Sequence, residues 1–302
     1  GEPVTTSANG SPMRASDAPM DMTIISAEDI ERFPAREIPD ILRHYAGVSV
    51  RQNTNTDYSV GLRGYNQPGA ERILVLVNGR QVYQDYYGLV NWSAIPVELN
   101  EIQQIEIVRG PNTALFGFNA TSGVVNIVTK NPLYDDVDLV EADLGINQYG
   151  RISGVYTFQN EDKWGLRLSA GGAEMDEDYN AYNPTESNVF VNDAHTRNFN
   201  ADNVIKLNDS TSMRFEASVS DTNGNGMSAY YDGAEITERF VGLKAGVSSD
   251  TDYGIIDATI YRNSADADFS VATGVFGFEN DVTVLQLSDT FKVGTDHTFR
   301  IA

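Results

Sequence analysis

Between Val140 and Val247 the chain repeatedly alternates apolar and polar side chains with a period of two. Val140, Ala142, Leu144 and Ile146 alternate with Glu141, Asp143, Gly145 and Asn147, and Ile152, Gly154, Tyr156 and Phe158 with Arg151, Ser153, Val155 and Thr157. Trp164, Leu166, Leu168 and Ala170 alternate with Gly165, Arg167 and Ser169. Met213, Phe215, Ala217 and Val219 alternate with Arg214, Glu216, Ser218 and Ser220, and the run Val241, Leu243, Ala245, Val247 repeats the pattern. Successive side chains on a strand point to opposite faces, so the region after Pro132 is committed to antiparallel strands with one apolar and one polar face.

Two architectures satisfy that pattern: a soluble sheet with one buried face, and a membrane barrel whose apolar face meets lipid. The connections separate them. QNEDK, NDST, SSDTD and GTDH are short polar links, and they alternate with longer acidic or glycine-rich stretches at 174–194, 222–237 and 264–280. Short turns at one end and long loops at the other are the layout of an outer-membrane β-barrel. Trp164, Tyr149 and Tyr156 suit its interfacial aromatic girdles. No run of about 18 apolar residues exists, which excludes a spanning helix.

Composition removes several function classes. Twenty-one Lys and Arg against 43 Asp and Glu give a net charge of −22, so nucleic acid is a poor partner for want of a basic footprint. With no cysteine there are no disulfides, thiolate metal sites or cysteine nucleophiles. The three histidines, His44, His195 and His297, are far apart in sequence. A hydrolase built on paired carboxylates has no support beyond the abundance of Asp and Glu.

The first part of the chain reads differently. Residues 1–20 are polar and form a flexible leader. MTIIS is a strand, followed by the capping box Ser26/Asp29 of a short helix that Pro34 stops. A second helix starts near Pro39, with Ile38, Ile41, Leu42 and Tyr45 on one face and Gly47 at its end; His44 lies off that face. GVSVRQ, SVGLRGY and RILVLVNGRQVY are strands, the last folded back at Asn78-Gly79. The division expected is a leader over 1–20, a small α/β domain over 21–131 and barrel strands over 132–302.

Four blocks, MTIISAEDIERF, IPDILRHYAGVSVRQN, GLRGYN with RILVLVNGRQV, and IEIVRGPNTALFGFNATSGVVNIVTK, follow one another within residues 22–130. In them the chain resembles the TonB-dependent outer-membrane receptors and transporters, beginning with their plug domain. It departs from the family pattern at Ala46, Phe116 and Ser122-Gly123, where proline, tyrosine and paired glycines are usual. The resemblance implies a fold of α/β plug followed by a transmembrane antiparallel barrel, and a location in the outer membrane of a Gram-negative bacterium. It implies a transporter rather than an enzyme, with no cofactor. The partners implied are outer-membrane lipid, the inner-membrane energy coupler TonB and a small nutrient ligand. Ferric siderophores are the commonest cargo of the family, with cobalamin or a glycan as alternatives. A soluble β-rich binding module is the reading left from a different class.

The resemblance also assigns residues. Arg63 and Arg109 match the plug arginines that pair with barrel glutamates. Glu2, Pro3, Val4, Thr5, Thr6, Ser7 and Ala8 resemble the TonB box, which could add a strand to a sheet edge of TonB. Ligand would meet the loops 52–58, 65–70 and 83–92, where Tyr65, Asn66, Gln67, Tyr83, Gln84, Tyr86, Tyr87, Asn91 and Trp92 supply aromatic faces and amides. Asp221, Asn223, Asn225, Gly226 and Asp232 have the spacing of a calcium loop without its flanking helices, and turn formation is the alternative reading. The acidic run EMDED at 174–178 is a solvated loop, and no metal is assigned. About nine strands are expected, against about 22 in a plugged barrel, which suits an N-terminal portion of a longer protein.

Overall fold

A computed structural model describes residues 4–5, 13–14, 22–62, 73–82, 90–109, 123–146, 148–176, 193–227, 233–271, 274–291 and 298–301. Near the N-terminus β1 (Val4–Thr5) pairs antiparallel with β2 (Met13–Arg14).

The α/β domain comprises β3 (Met22–Ser26), α1 (Ala27–Arg32), α2 (Ile38–Leu42), β4 (Val48–Gln52), β5 (Tyr58–Leu62), β6 (Ile73–Val77), β7 (Arg80–Gln81), β8 (Ile102–Arg109) and β9 (Gly123–Thr129). Five of its strands form a mixed sheet in the order β3-β8-β9-β6-β7, in which only the β9–β6 pair is parallel. Every residue of the continuous apolar run ILVLV in β6 is buried, because helices and loops cover one face of the sheet and the second face is covered too. The core on the first face gathers Ile25, Ile41, Leu42, Trp92, Ile105 and Ile127.

Local chemistry sets the ends of these elements. Ser26 Oγ accepts from the Asp29 amide at 3.1 Å and Asp29 returns the contact to the Ser26 amide at 3.3 Å, closing the expected capping box. Asn78 and Gly79 have φ of +50° and +79°, the pair of left-handed residues that a two-residue hairpin needs. Helix α2 is shorter than its apolar face suggests: it ends at Leu42, and Gly47, at φ +76°, closes the turn into β4 instead of capping the helix.

The second part is one antiparallel sheet in strict sequence order: β10 (Leu139–Leu144), β11 (Gly150–Asn160), β12 (Trp164–Asp176), β13 (Asp193–Lys206), β14 (Thr211–Met227), β15 (Gly233–Thr251), β16 (Gly254–Val271), β17 (Gly274–Phe291) and β18 (Thr298–Ile301). The turns at 161–163, 207–210 and 252–253 mark one end, called lower here, and the strand ends away from those turns mark the upper end. Its outer face is apolar and exposed: Leu144 is 91% and Leu243 55% accessible, with Ile152, Phe215, Val241 and Ile260 likewise open. Its inner face is polar and buried, carrying Arg167, Ser169, Asp202, Glu216 and Ser218. A soluble sheet buries the opposite set, so these are barrel strands that face lipid.

Two expectations are corrected. The stretches 222–237 and 264–280 are largely strand, because β14 to β17 run for 17 to 19 residues where a bilayer needs about 9–11. Past the apolar band polar residues are frequent, with Val275 and Phe276 exposed among them, yet the ladder bonds still pair, so Asn, Gly and Asp there do not end the strands. Tyr149, expected in an outer girdle, is 5% exposed and lies under the Arg36 guanidinium, 3.7 Å from its ring centre. Trp164 and Tyr156 are outward as expected.

Candidate functional site

The polar inner face of the strands and the α/β domain meet along the whole height of the wall, and the chemistry of the contact changes with height. In the lower half it is ionic. Glu101, in the turn before β8, accepts from Arg167 Nε at 3.1 Å and from Ser169 Oγ at 3.0 Å. Arg167 also donates to Asp202 at 3.0 Å and to the Lys130 carbonyl. Arg214 grips the same Asp202 with two nitrogens, at 2.9 and 2.6 Å, and donates to Thr129 Oγ1 at 3.1 Å. Farther up, in the register row of Ser220, Glu98 binds Arg151 and accepts from Asn198 Nδ2 at 2.8 Å. Beside this chain, Asn78 Nδ2 donates to Glu216 at 2.5 Å and Lys244 lies 3.6 Å from the same carboxylate. Guanidiniums suit such a lattice because they stay charged and present several coplanar donors.

Higher up on β14 and β15 most contacts are neutral. Arg80 is the transition: it is 1% exposed, donates to Ser218 Oγ at 3.1 Å and lies over Phe240 at 5.9 Å. Above it, Ser220 Oγ donates to the Ala94 carbonyl at 2.9 Å and Asn91 Nδ2 donates to Glu238 at 2.7 Å. Near the upper rim Thr54 and Thr56 donate to the Asn225 carbonyl at 2.5 and 3.4 Å, and Asn55 to the Asp176 carbonyl at 2.8 Å.

Glycines on the wall make room for these contacts. A Cβ on Gly171 would fall on the Glu98 carboxylate, one on Gly224 on Thr56, and one on Gly242 on the Arg80 guanidinium. At Gly165 it would strike the Pro132–Leu133 backbone.

Burial tunes the groups on the α/β side. It pushes the Glu101 carboxyl up from 4.5, against the lowering pull of Arg167. It pulls Arg80 down, against Glu216. Tyr58 is driven far up by burial and by the nearby Glu37 and Asp40 carboxylates. The arrangement can hold a domain in place and seal a passage. Among the described residues no group of three or more His, Asp or Glu is set to hold a metal ion.

The site residues expected from sequence fare unevenly. Arg63, Tyr65, Asn66, Gln67, Tyr83, Gln84, Tyr86 and Tyr87 lie outside the described residues, as do Glu2, Pro3, Thr6, Ser7, Ala8 and Asp232. Arg109 donates to Thr23 Oγ1 and to the Ala46 carbonyl, both at 2.8 Å, within the α/β domain. Asn91 touches the wall as described, whereas Trp92 is 4% exposed inside the hydrophobic core, which gives its indole to packing. Asp221, Asn223, Asn225 and Gly226 are in β14, and Asp221 pairs with His195 and Arg239 at 3.0 and 3.3 Å. Sequence reasoning missed Glu98, Glu101, Arg151, Arg167 and Asp202. Arg151, Arg167 and Asp202 were visible as charges on barrel strands, but their partners Glu98 and Glu101 on the α/β side carried no such signal.

Residues 14–124 match the family described as TonB-dependent Receptor Plug Domain. A vitamin B12 transporter BtuB of Vibrio cholerae serotype O1 is 32% identical over 206 residues, 68% of this chain and 32% of that protein. The chain belongs to the TonB-dependent receptor family. BtuB of Vibrio vulnificus is 29% identical over 166 residues, 54% of this chain and 26% of that protein. Among solved structures, the alcaligin receptor FauA of Bordetella pertussis has a TM-score of 0.71 at 17% identity, covering 98% of this chain and 48% of that one. The ferric yersiniabactin receptor FyuA of Yersinia pestis has a TM-score of 0.69 at 16% identity, covering 93% and 48%. At those identities the likeness is one of fold. The chain thus spans about a third of the length of the curated relatives it matches. The α/β domain is a receptor plug, the sheet is part of an outer-membrane β-barrel wall, and the family is one of receptors and transporters rather than enzymes.

Proposed function

We propose that the protein is an energy-coupled transporter that carries a scarce metal chelate across the outer membrane. The observation that supports this most directly is the plug held against the inner wall by the buried lattice Glu101–Arg167–Asp202–Arg214. A passage closed that firmly needs work to open, and the pull would come from TonB on the segment around Val4 and Thr5. That segment already forms backbone strand pairing, the bonding mode by which a partner sheet would take it up. Arg63 and Arg109 remain proposed as plug arginines that lock to barrel glutamates, and Tyr65, Asn66, Gln67, Tyr83, Gln84, Tyr86 and Tyr87 as ligand contacts.

For the cargo, the sequence reading favours a ferric siderophore, and among the fold neighbours FyuA is named for ferric yersiniabactin and PirA of Acinetobacter baumannii as a siderophore receptor. The sequence relatives are named for vitamin B12, which supports a corrinoid as a second reading. Both are bulky chelates with apolar faces, suited to an aromatic and amide loop. Uptake of radiolabelled cyanocobalamin and of ferric siderophores by cells with and without TonB decides the matter. TonB-dependent uptake of either class supports transport and names the cargo; equal uptake in both strains, for every ligand, would sink the proposal.

A further inference from the structure

Glu98 and Glu101 stand three residues apart on one turn of the plug, and the wall meets both carboxylates with donors. Glu98 takes Arg151 and Asn198, and Glu101 takes Arg167, Ser169 and, at 3.4 Å, Asn200. The donors come from the neighbouring strands β11, β12 and β13 and descend four inward rungs. Arg151 opposes Ala173, followed by the pairs Gly171↔Asn198, Ser169↔Asn200 and Arg167↔Asp202. Among the described inward side chains of these three strands, from Arg151 down to Asp202, Asp202 is the one acid, and Arg214 grips it. Asp143 stands opposite Arg151 on β10, yet the ion pair that Arg151 makes is with Glu98. In a chain of net charge −22, a donor-lined strip without acid above Asp202 is set apart from its surroundings.

The strip is shaped as well as charged for an oxyanion. Gly171 leaves the space that the Glu98 carboxylate fills, and a side chain there would close it. Guanidinium, amide and hydroxyl donors converging on a carboxylate would hold a phosphate, carboxylate or phenolate of another molecule in the same way. The two plug acids also leave together, because the Glu98 amide donates to Glu101 at 2.8 Å and fixes the turn as a unit. Once they are withdrawn, Arg151 loses its ion-pair partner and Arg167 keeps Asp202 alone. A lumen surface of one sign then raises the local concentration of anions.

We propose that this strip is a transit site for an anionic cargo, a chelate bearing carboxylate, phosphate or phenolate groups, and that Glu98 and Glu101 occupy it in the cargo's stead while the plug is seated. Plug and cargo then compete for the same donors. Cargo on the strip opposes reseating, and reseating expels the cargo, so one set of arginines serves both closure and passage. A neutral chelate gains nothing from the guanidiniums. The proposal rests on the transport reading above.

The test uses the full-length receptor in detergent, with inorganic phosphate as the probe. Glu98→Ala empties the place beside Gly171 while the Glu101–Arg167 contact still holds the plug. This variant should bind phosphate about tenfold or more tightly than wild type, read as saturable broadening of the phosphate signal in phosphorus NMR, and adding Arg151→Gln should remove the gain. In cells given ferric chelates of different charge, the anionic ones should be carried. Arg151→Gln in the Glu98→Ala background should slow their uptake severalfold without changing their binding at the cell surface, and Arg151→Lys in its place should restore it. Equal phosphate binding by wild type, Glu98→Ala and the double variant would overturn the strip. A gain of phosphate binding with uptake indifferent to residue 151, or with a neutral chelate as the cargo, would overturn the transit role. A gain of phosphate binding without TonB-dependent uptake of any chelate would sink the transport reading, and the cargo with it, and leave an anion site in the plug seat.

Discussion

The plug carboxylate of Glu101 and the wall guanidinium of Arg167 meet at 3.1 Å with side chains 3% and 1% exposed. The sign of this contact is the reverse of the one expected for Arg63 and Arg109, because here the plug supplies the acid and the barrel the base. The two groups are not equivalent. Glu101 keeps Ser169 as a partner if the arginine is lost but sheds its paired counter-charge, while Arg167 keeps Asp202 if the glutamate is lost. Removing one member of a buried pair costs about 3–5 kcal/mol when the survivor is stranded. Arg167→Met should therefore approach that range and Glu101→Gln should cost less. Urea titration of plug unfolding, followed by protease accessibility in the membrane-embedded protein, measures both; a larger loss for Glu101→Gln would contradict the geometry.

The same lattice gives a pH dependence. Burial raises the folded pKa of Glu101 above 4.5, so the folded plug holds that proton more tightly than the unfolded chain. Its contribution is then full below 4.5 and is lost as pH rises through the folded value. Asp29 has the opposite sign: burial acts upward on it, but hydrogen bonds from Ser26 and the Arg32 charge outweigh burial and hold it below 3.8. Its contribution is present above 3.8 and is lost as pH falls through the lowered value. Plug stability against pH should lose the first slope in Glu101→Gln, and the second should weaken in Ser26→Ala, which keeps the Ser26 amide and Arg32 as partners of Asp29. The latter also loses about 1 kcal/mol at neutral pH through the missing cap. An unchanged acid limb in Asp29→Asn would remove Asp29 as its source.

Much of this was legible beforehand. The alternation in β11, β12, β14 and β15 named the outward residues correctly because lipid and plug demand opposite chemistry on successive side chains. Ser26/Asp29 and Asn78-Gly79 were readable because caps and tight hairpins depend on two or three adjacent residues. What was not readable depends on contacts across 66 to 138 positions, such as Glu101 with Arg167 or Arg80 with Ser218. A dyad pattern says that Arg167 faces inward but not what stands opposite. Trp92 was misjudged for the same reason: an aromatic in a loop looks ligand-facing until the core that encloses it is known.

Trp92 and Asn91 should separate packing from wall contact. Trp92→Ala removes a buried indole from the plug core and should cost about 3–5 kcal/mol. Asn91→Ala leaves the core whole and strips the amide from the buried Glu238 carboxylate, at about 1–3 kcal/mol. Tryptophan fluorescence and plug protease resistance distinguish the two, and a plug unaffected by Trp92→Ala would show that the core does not depend on it.

The wall glycines yield a graded prediction, because what a new methyl would strike differs at each. At Gly154 it would meet only atoms 3.9 Å away, so Gly154→Ala should stay within about 0.5 kcal/mol of wild type. At Gly171 and Gly242 it would meet the ends of Glu98 and Arg80, side chains that can shift only by loosening their wall contacts. Overpacking of that kind costs about 1–3 kcal/mol. At Gly165 the obstacle is the Pro132–Leu133 backbone, which joins plug to wall and cannot turn aside as a side chain does. Gly165→Ala should therefore exceed that range and lower the yield of folded barrel. Heat-modifiability on gels reads folded barrel for all four variants. The order Gly154, then Gly171 with Gly242, then Gly165 is required if the plug is seated as described, and a neutral Gly165→Ala would mean that strand β12 and the Pro132 segment do not pack this closely.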